Sequence, residues 1–536
     1  MKNAGLLLFC FLITACDSNQ SGGKQVFNYN RTEGVATLDP AFARSQAVMW
    51  AVKHLYNTLL EPDDHMVLQP SLARRWEVSA DRKTYTFFLR NDVYFHDSEL
   101  FTGGKGRKLT AADVVYSLRR IMDPATASPG AWIFNGKVDL QTGFKAVNDT
   151  TFQLTLLQPF HPILDILTMQ YCSIIPHEAV ERYGKDFRKH PCGTGPFQFF
   201  LWDEGQALVL HKNPHYFETD STGRHLPYLD AVKVTFLDSK ATEFLLFREK
   251  QLDFINEIDA SFKDEVLTRL GALQPEWKGK MVLDKVPQLN VEYFGILVDS
   301  SMALVKNSPL RLQKIRQAIN YGIDREKLIM YLRNGIGKPA TAGFVPPGLP
   351  SFRPDLKGYH YDPAKAAQLL AAAGYPGGKG LPPITLMSVP IYEDFANYAA
   401  GQLADLGIKV KVEVMEKNLL LEQTARSTSP FFRASWIADY PDAESFLAVF
   451  YGKNTAPPNY TRYNNPVFDK LYEKALQEND DSARYLLYQQ MDSVVMQDAP
   501  VVPLYYDEVV HLVQPGIQGF TSNALNLLDL RRVKKL

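Results

Sequence analysis

Ile-Lys-Val-Lys-Val-Glu-Val, residues 408–414, is the stretch that decides the fold class, because apolar and charged residues alternate along it. An alternation of period two predicts a strand with one buried face and one solvated face. Upstream, Asp362 and Pro363 predict the start of a helix, with the aspartate as its cap and the proline at its first position. Gly374 is placed to end that helix. A helix therefore precedes a half-buried strand in this part of the chain.

The same mixture of helix and strand signals continues towards the N-terminus. Thr-Tyr-Thr-Phe-Phe-Leu, residues 84–89, is rich in aromatic and β-branched residues and predicts a strand. Thr110 and Asp113 form a variant of the capping box, and apolar residues of the segment 114–121 recur at helical spacing. Strands and helices interleave to the C-terminus without a repeat of fixed period, so the predicted class is α/β.

The N-terminus has the pattern of an export signal. Lys2 precedes an apolar run, residues 4–13, which has about half the roughly 20 residues that a membrane-spanning helix needs. The run ends in Leu-Ile-Thr-Ala-Cys, which resembles a bacterial lipobox, where the cysteine, here Cys16, becomes the lipidated first residue. An ordinary signal peptide with a chance cysteine is the alternative. We expect residues 1–15 to be the signal peptide and residues 16–25 to be a lipidated, flexible tether.

Composition limits what the rest of the chain can be. The 536 residues suffice for two or three domains, and a net charge of -1 argues against nucleic acid as a partner. No second apolar stretch is long enough to cross a membrane, so the body should be soluble. Cys172 and Cys192 are the two cysteines outside the export signal, and in an oxidising compartment such a pair indicates a disulfide. Two separate buried thiols are the alternative.

Catalytic and metal-binding motifs are absent from the sequence. The glycine-rich segments 103–106 and 377–380 lack the spacing of a phosphate-binding loop. His211 and His215 are four residues apart, but a proline between them argues against a helical metal site. His177 lacks the second histidine of a zinc-peptidase motif, and no GxSxG motif occurs. We therefore expect no catalytic residue, no metal and no cofactor.

A series of short segments, each weak alone, carries a family resemblance. They are Thr-Leu-Asp-Pro (37–40), Leu-Tyr-Asn-Thr-Leu-Leu (55–60), Leu-Gln-Pro-Ser-Leu-Ala (68–73), Trp-Glu-Val-Ser (76–79), Thr-Tyr-Thr-Phe-Phe-Leu-Arg (84–90), Phe-His-Asp (95–97), Leu-Thr-Ala-Ala-Asp-Val-Val-Tyr-Ser (109–117), Gly-Thr-Gly-Pro-Phe (193–197), Asn-Pro-His-Tyr-Phe (213–217) and Arg-Gln-Ala-Ile-Asn-Tyr-Gly-Ile-Asp-Arg (316–325). In this order they resemble the oligopeptide- and dipeptide-binding proteins of ABC transporters, family 5 of the extracytoplasmic solute-binding proteins.

The resemblance implies a two-lobed periplasmic binding protein fold of type II, cluster C, with an extra domain inserted in lobe I. The implied boundaries are 26–55, 176–289 and 508–536 for lobe I, 56–175 for the extra domain and 290–507 for lobe II. Two chain crossings, near residues 286–288 and 505–506, would form the hinge. The ligand would lie between the lobes and be buried when they close.

Ser-Trp-Ile-Ala-Asp-Tyr-Pro-Asp, residues 435–442, resembles the W-x-A-D-Y segment of the peptide binders. In that family its backbone pairs with an extended peptide, and its aspartate meets the α-ammonium group of the peptide. The resemblance therefore implies ligand contacts at Asp439, Trp436, Ser435 and Ala438. Strand addition suits a ligand that is recognised through its main-chain groups. A charged amine that loses its water when a cleft closes needs an opposite charge. The alternative is a turn in which Asp439 caps local N–H groups and Trp436 is core.

Other acidic residues have less specific interpretations. Asp507 stands where oligopeptide binders often carry an aromatic residue, so it either favours a cationic ligand near the hinge or faces solvent. Asp442 and Glu444 precede an apolar run and are interpreted as acids at a helix start. No motif identifies the residue that meets a peptide's C-terminal carboxylate.

The resemblance implies a monomeric binding protein without enzymatic activity. It would capture short peptides and pass them to the permease and ATPase subunits of an ABC importer. The lipid anchor would hold it at the periplasmic face of the cytoplasmic membrane, or at the cell surface of a Gram-positive source. The same scaffold also binds nickel complexes, haem, sugars and opines, which remain the alternative ligands. An exported hydrolase and a peptide sensor are the alternatives outside transport.

Overall fold

Two long strands, Val282–Ile296 and Val501–Val513, run side by side through the protein. The structure, a computed structural model, describes residues 24–536. The predicted signal peptide, Cys16 and most of the predicted tether lie outside the described residues.

The strands, in chain order, are β1 Val26–Asn30, β2 Leu60–Pro62, β3 Leu68–Pro70, β4 Ala73–Val78, β5 Thr84–Leu89, β6 Phe144–Asn148, β7 Thr151–Thr155, β8 Phe197–Asp203, β9 Ala207–Lys212, β10 Ala231–Thr235, β11 Phe254–Asn256, β12 Val282–Ile296, β13 Lys338–Pro339, β14 Ile384–Ser388, β15 Val410–Val414, β16 Phe431–Ile437, β17 Val501–Val513, β18 Ile517–Gln518 and β19 Lys534–Lys535.

The α-helices are α1 Gln46–Leu55, α2 Ala111–Met122, α3 Ile163–Ile166, α4 His177–Tyr183, α5 Lys240–Arg248, α6 Lys263–Val266, α7 Ala303–Lys306, α8 Gln313–Tyr321, α9 Arg325–Leu332, α10 Pro363–Ala372, α11 Glu393–Asp405, α12 Lys417–Ala425, α13 Glu444–Leu447, α14 Pro466–Ala475 and α15 Asp481–Asp498.

The main sheet has the strand order β15-β14-β16-β12-β17-β11-β1-β10-β9-β8, with β13 added on β17. β12 and β17 are antiparallel and pair in two runs, which a register shift between Pro287 and Val291 separates; a further shift lies between Glu292 and Tyr293, within the second run. One run pairs residues 282–287 with 508–513, and the other pairs 291–295 with 501–506. We call the half with β1 and β8 to β11 lobe I, and the half with β14 to β16 lobe II.

Helices cover both faces of the lobe II sheet. Successive residues of β12 point to opposite sides, so Tyr293 lies in one core and Phe294 in the other. The core around Phe294 includes Ile319 of α8 and Leu403 of α11. The core around Tyr293 includes Met491 of α15. Lobe II is therefore a three-layer α/β unit, and the predicted α/β class is confirmed.

A separate antiparallel sheet, β4-β5-β7-β6, lies within the segment 56–175, and we call this segment the insert. Its buried residues share one continuous core with lobe I, since Phe87 and Phe152 of the insert belong to the same cluster as Phe27 and Val232. Helix α2 begins with the predicted capping box, which is formed reciprocally between its cap and its third residue.

Local predictions from the sequence hold at several other places. β5 has the predicted bounds, and β15 lies within the alternating stretch. Asp362 caps α10 by accepting a hydrogen bond from the Lys365 amide, and Pro363 is the first helical residue. Gly374 follows that helix with a φ of +93°, a conformation that favours glycine.

The predicted disulfide between Cys172 and Cys192 is wrong, because both thiols are free and buried. The two sulfur atoms have different partners. Cys172 Sγ lies 3.5 Å from the Ile166 carbonyl, and Cys192 Sγ lies 3.8 Å from the His96 carbonyl. Burial raises the pKa of the Cys192 thiol to about 12. Both cysteines therefore act as small apolar core residues, which was the alternative interpretation.

Two arginines of the segment 316–325 are buried, although the segment was interpreted mainly as an amphipathic helix. Arg325 is 2% exposed and donates to the carbonyls of Pro503 at 2.6 Å and Asn320 at 2.9 Å. Arg316 donates to the carbonyls of Asp498 at 2.6 Å and Leu310 at 2.9 Å. These guanidinium groups satisfy backbone acceptors where the chain enters β17, and so fix that strand against α8 and α9.

We expect Arg325→Met to lower the free energy of unfolding by about 2–4 kcal/mol, because several buried carbonyls lose their donor. Urea denaturation measures this change. Arg311→Met, at an exposed position on the same lobe, is the matched control and should change stability little. Equal stability of the two variants would contradict a structural role for Arg325.

Candidate functional site

The C-terminal ends of three lobe II strands meet at the boundary between the lobes. β14 is parallel to β15 along its whole length and parallel to β16 at Met387 and Phe432. The antiparallel pairing of β16 with β12 places Ile437 opposite Asn290, which lies beside the register shift. Ligands of open α/β sheets bind outside the C-terminal ends of parallel strands. The C-terminal ends of these strands are therefore the candidate position of a ligand site.

One edge of β16 is open there. On one side, residues 431–437 pair with β12 throughout. On the other side only Phe432 pairs with β14, so within residues 24–536 the segment 433–437 has no strand neighbour on that side. Unpaired N–H and C=O groups on a strand edge are able to receive another extended chain.

Asp439 follows the end of this open edge. Its side chain is exposed, and within the described chain its carboxylate makes no hydrogen bond or ion pair. Desolvation by the surrounding protein nevertheless raises its pKa to about 6. A group with protein around it that is still open to solvent is typical of the wall of a concave site. Its backbone N–H donates to Ser445 Oγ at 3.3 Å. Within residues 24–536 no backbone N–H donates to its carboxylate, so Asp439 does not cap a local turn.

The three neighbouring residues predicted with Asp439 have different environments. Trp436 is half-buried, packs on the core beneath α13 to α15, and donates from Nε1 to the Ser445 carbonyl at 2.7 Å. Ala438 is buried, and its N–H donates to the Leu289 carbonyl. Ser435 is half-buried on the opposite face of β16 from Trp436. Asp439 is thus exposed, Ser435 and Trp436 are half-buried and Ala438 is buried, and the ligand role of all four stays a prediction.

A charged network beside the open edge was not anticipated from the sequence. Glu292 of β12 lies opposite Ser435 and accepts a hydrogen bond of 2.6 Å from Arg433 Nη2. The Arg433 guanidinium also lies 3.5 Å over the ring of Tyr392, whose hydroxyl is 3.3 Å from Glu292 Oε1. Burial raises the pKa of Glu292 to about 7, and the Arg433 charge opposes that shift. The sequence contains one signal of this network: Glu292 is a single glutamate in the otherwise apolar stretch 291–296.

Asp507 is engaged in a second pair. It forms an ion pair with Arg333 and accepts a hydrogen bond of 3.3 Å from Asn290 Nδ2. Arg333 also donates to the Tyr505 hydroxyl at 2.8 Å and lies 4.4 Å over that ring. Arg333 therefore neutralises the carboxylate of Asp507. This arrangement differs from the two predicted from the sequence, which were a contact with a cationic ligand and exposure to solvent. Its role as a ligand contact stays a prediction.

Asp442 and Glu444 are buried around the start of α13. Asp442 accepts a hydrogen bond of 2.7 Å from the Glu444 amide, in agreement with its interpretation as an acid at a helix start. The carboxylate of Glu444 receives the hydroxyls of Tyr440 and Tyr472. Burial raises its pKa, and the two hydroxyls oppose that shift. Both acids form hydrogen bonds within lobe II. Among the acids of residues 435–444, Asp439 is therefore the accessible carboxylate.

Two exposed apolar side chains lie at the end of β16 and just after the end of β14. Ile437, the last residue of β16, is 57% exposed, and Ile391, which follows β14, is 81% exposed. Residues 24–536 contain no cluster of three or more histidine, cysteine or acidic side chains suited to a metal ion. Nor does any helix in that range have the length and apolar character to span a membrane. The site can thus offer a backbone edge, an acid at one end and apolar contacts.

Comparison with known proteins gives consistent matches over most of the chain. Residues 67–458 match the family model described as Bacterial extracellular solute-binding proteins, family 5 Middle. The "Probable deoxycholate-binding periplasmic protein YgiS" of Escherichia coli K12 is 28% identical over 519 residues, which cover 93% of this chain and 91% of YgiS. The glutathione-binding protein GsiB of the same organism is 27% identical over 492 residues, 90% of this chain and 89% of GsiB.

A solved structure extends the comparison to three dimensions. The periplasmic binding protein DppA of Helicobacter pylori, in complex with the peptide STSA, superposes with a TM-score of 0.71. The two chains are 26% identical, and the match covers 95% of this chain and 98% of the other.

Proposed function

Because the chain belongs to family 5 of the bacterial extracellular solute-binding proteins, we propose that it captures short peptides between its lobes for an ABC importer. The resemblance inferred from the sequence and the two-lobed fold that it implied are both confirmed by the comparisons. In this proposal the ligand lies on the open edge of β16, lobe I closes over it about the β12–β17 crossing, and no chemistry is performed on it.

The single observation that carries the proposal concerns residues 24–536: the strand edge 433–437 is open among them and ends beside Asp439, an acid that has no side-chain partner among them. An extended peptide added to this edge would exchange main-chain hydrogen bonds with it, irrespective of its side chains. Its N-terminal ammonium group would meet the Asp439 carboxylate. That charge-assisted contact compensates for the loss of water around the amine as the cleft closes.

The length of the open edge suggests the length of the ligand. A strand rises about 3.3 Å per residue, so the edge offers about 13–16 Å, which is room for roughly three to five extended residues. Arg433 stands at the opposite end of the edge from Asp439, and its guanidinium, which also pairs with Glu292, would meet a ligand carboxylate in this proposal. Exposed Ile437 and Ile391 would contact apolar side chains of the ligand.

The names of the relatives favour a peptide as the ligand, but one of them supports a non-peptide ligand. GsiB is named for glutathione, and the H. pylori structure contains a peptide. YgiS is named for deoxycholate, which is not a peptide. The second candidate is therefore a non-peptide solute on the same scaffold, such as a nickel complex, haem, a sugar or an opine. Such a ligand need not be extended along the edge, so it would not require the regular main-chain hydrogen bonds of residues 433–437.

Delivery requires partners outside this chain. We propose that the protein acts as a monomer and docks on an inner-membrane permease whose ATPase subunits are separate chains. Lipidation at Cys16 would hold it at the periplasmic face of the membrane that contains the permease, with residues 16–25 as the lipidated tether. A net charge of -1, without a basic excess, argues against nucleic acid as a partner.

We expect Asp439→Asn to weaken binding of a free-amine tripeptide by about 2–5 kcal/mol, the range for removing one partner of a buried charge pair. Calorimetry with the tripeptide and its N-acetylated form measures the effect, which should be small for the acetylated form. Asp405→Asn, an exposed acid at the end of α11, is the matched control. An equal loss for both peptides would contradict the contact between Asp439 and the ammonium group.

Binding of a free-amine peptide should also depend on pH through Asp439. The pKa of the free protein's Asp439 is about 6, so below pH 6 this carboxyl must lose a proton before it pairs with the ammonium group. Affinity is then expected to fall by up to about tenfold per pH unit as the pH drops below 6. Titrations from pH 4.5 to 7 test this. Asp439→Asn should abolish this acid limb, and an unchanged pH profile in that variant would exclude Asp439 as its source.

Cys16→Ser should release the protein from the membrane, because the thiol that would carry the lipid is lost. Fractionation of cells into membrane and soluble protein measures this. Cys10→Ser, within the predicted signal peptide, is the control and should leave the protein at the membrane. Unchanged membrane partition of the Cys16→Ser variant would exclude this anchor.

A further inference from the structure

A turn that follows α9 of lobe II reaches lobe I beside the β12–β17 crossing. The turn, residues 333–337, is held to β17 at its first residue, because Arg333 forms an ion pair with Asp507. At its last residue, the backbone N–H of Gly337 donates to Glu508 Oε2 at 2.9 Å. The turn therefore lies where the two lobes meet and is fixed to one of the strands that connect them.

Two side chains of the turn bind lobe I. Asn334 Nδ2 donates to Oδ1 of Asp264, in α6, at 2.6 Å. Ile336 is 5% exposed and belongs to the apolar core that contains Phe247 of α5 and Leu267. The turn thus continues a helix of lobe II, while its side chains pack on lobe I.

Between these two side chains the contact is made by backbone alone. A Cβ atom added to Gly335 would lie 2.5 Å from the Leu270 carbonyl carbon and 2.7 Å from the Gly271 nitrogen. In the reverse direction, a Cβ atom added to Gly271 would lie 2.7 Å from the Gly335 carbonyl oxygen. Carbon atoms in ordinary contact are about 3.5–4.0 Å apart, so neither position has room for a side chain. The backbones of the two lobes therefore touch directly here.

Both glycines also have a left-handed backbone, with a φ of +72° at Gly271 and +71° at Gly335. Asparagine tolerates this conformation better than most residues do, and Asn334 adopts it with a φ of +51°. Gly136 of the insert has a φ of +73°, but apart from its chain neighbours no atom of residues 24–536 lies within 4 Å of its Cβ position. Gly136 thus has the same conformation without the contact.

We propose that the turn 333–337 is a spacer between the lobes: its contact with Leu270 and Gly271 limits how closely the lobes approach on this side of the β12–β17 crossing, and so sets the angle between them. The register shift allows the crossing strands to bend, but packed backbones cannot interpenetrate, so the spacer limits that bend. The spacer acts whether or not a ligand is bound and is therefore independent of ligand capture.

The distance between two spin labels measures the effect of the spacer without any ligand. Ala241→Cys on α5 and Glu326→Cys on α9 place the labels at exposed positions on helices of the two lobes. Each helix packs in the core of its own lobe, so the labels report movement of the lobes rather than of the contacting turns. The full chain is used, with its two N-terminal cysteines replaced by serine; the two remaining thiols are buried.

We expect Gly335→Asn to lengthen the mean distance between the labels, because the added Cβ atom alone requires the two backbones to separate by about 1 Å. Gly271→Asn adds a side chain from the opposite lobe and should lengthen the distance as well. Gly136→Asn, at the same φ and without a contact, is the matched control and should leave the distance unchanged.

Ile336→Ala tests the same contact without adding a clash. Loss of the buried side chain that holds the turn on lobe I should broaden the distance distribution, because the angle between the lobes is then less restricted. Ile391→Ala, at a position that is 81% exposed, is the control and should leave the width of the distribution unchanged.

An unchanged mean distance in both Gly335→Asn and Gly271→Asn would overturn the proposal. So would an equal shift in Gly136→Asn, because the shift would then come from asparagine in a left-handed conformation and not from the contact. An Ile336→Ala distribution as narrow as that of Ile391→Ala would also count against the spacer. Because no ligand enters these measurements, they can fail while peptide capture at Asp439 holds, and the reverse is equally possible.

Discussion

The antiparallel pairing of β12 with β17 is the constraint on which both lobes depend. These strands belong to the sheets of both halves, so each lobe packs its helices against a frame that the other lobe shares. The pairing is interrupted between Pro287 and Val291, where the register shifts. Proline cannot donate a ladder hydrogen bond, and an irregular ladder bends more easily than a regular one. The interruption is therefore the place where the proposed closure of the lobes would bend the two strands.

The same pairing determines what the site offers. The register of β16 on β12 places Glu292 opposite Ser435 and Asn290 opposite Ile437, so the charged network and the open edge are positioned by one strand. β14 leaves the sheet after Ser388, and that departure exposes the edge of residues 433–437. An open edge is normally a risk of aggregation. Here it lies at the boundary of the lobes, where closure would cover it.

The elements that could be predicted from the sequence are those that a local pattern of residues determines. β5, β15, α10 and the capping box of α2 follow from spacing and cap chemistry within a few residues. Asp439 was predicted because its segment resembles a known motif, and within residues 24–536 its carboxylate is exposed and has no hydrogen-bond or ion-pair partner. That combination of exposure with a raised pKa required coordinates, since it depends on the protein surrounding the group.

Contacts between distant parts of the chain could not be predicted. Glu292 and Arg433 are 141 residues apart, and no local pattern connects them. Arg333 pairs with Asp507 across 174 residues and changes how that acid is interpreted. The expected disulfide failed for the same reason, because a count of cysteines contains no distance between them. The contact of His161 with Asn479 spans 318 residues and was likewise beyond sequence reasoning.

Native mass spectrometry of freshly purified protein tests the central claim, peptide capture along β16, most directly. A site that reads the ligand backbone should retain a mixture of short peptides. The account therefore predicts several bound masses that differ from one another by amino-acid residue masses. A single fixed mass that matches no peptide, or a bound metal complex, would contradict it.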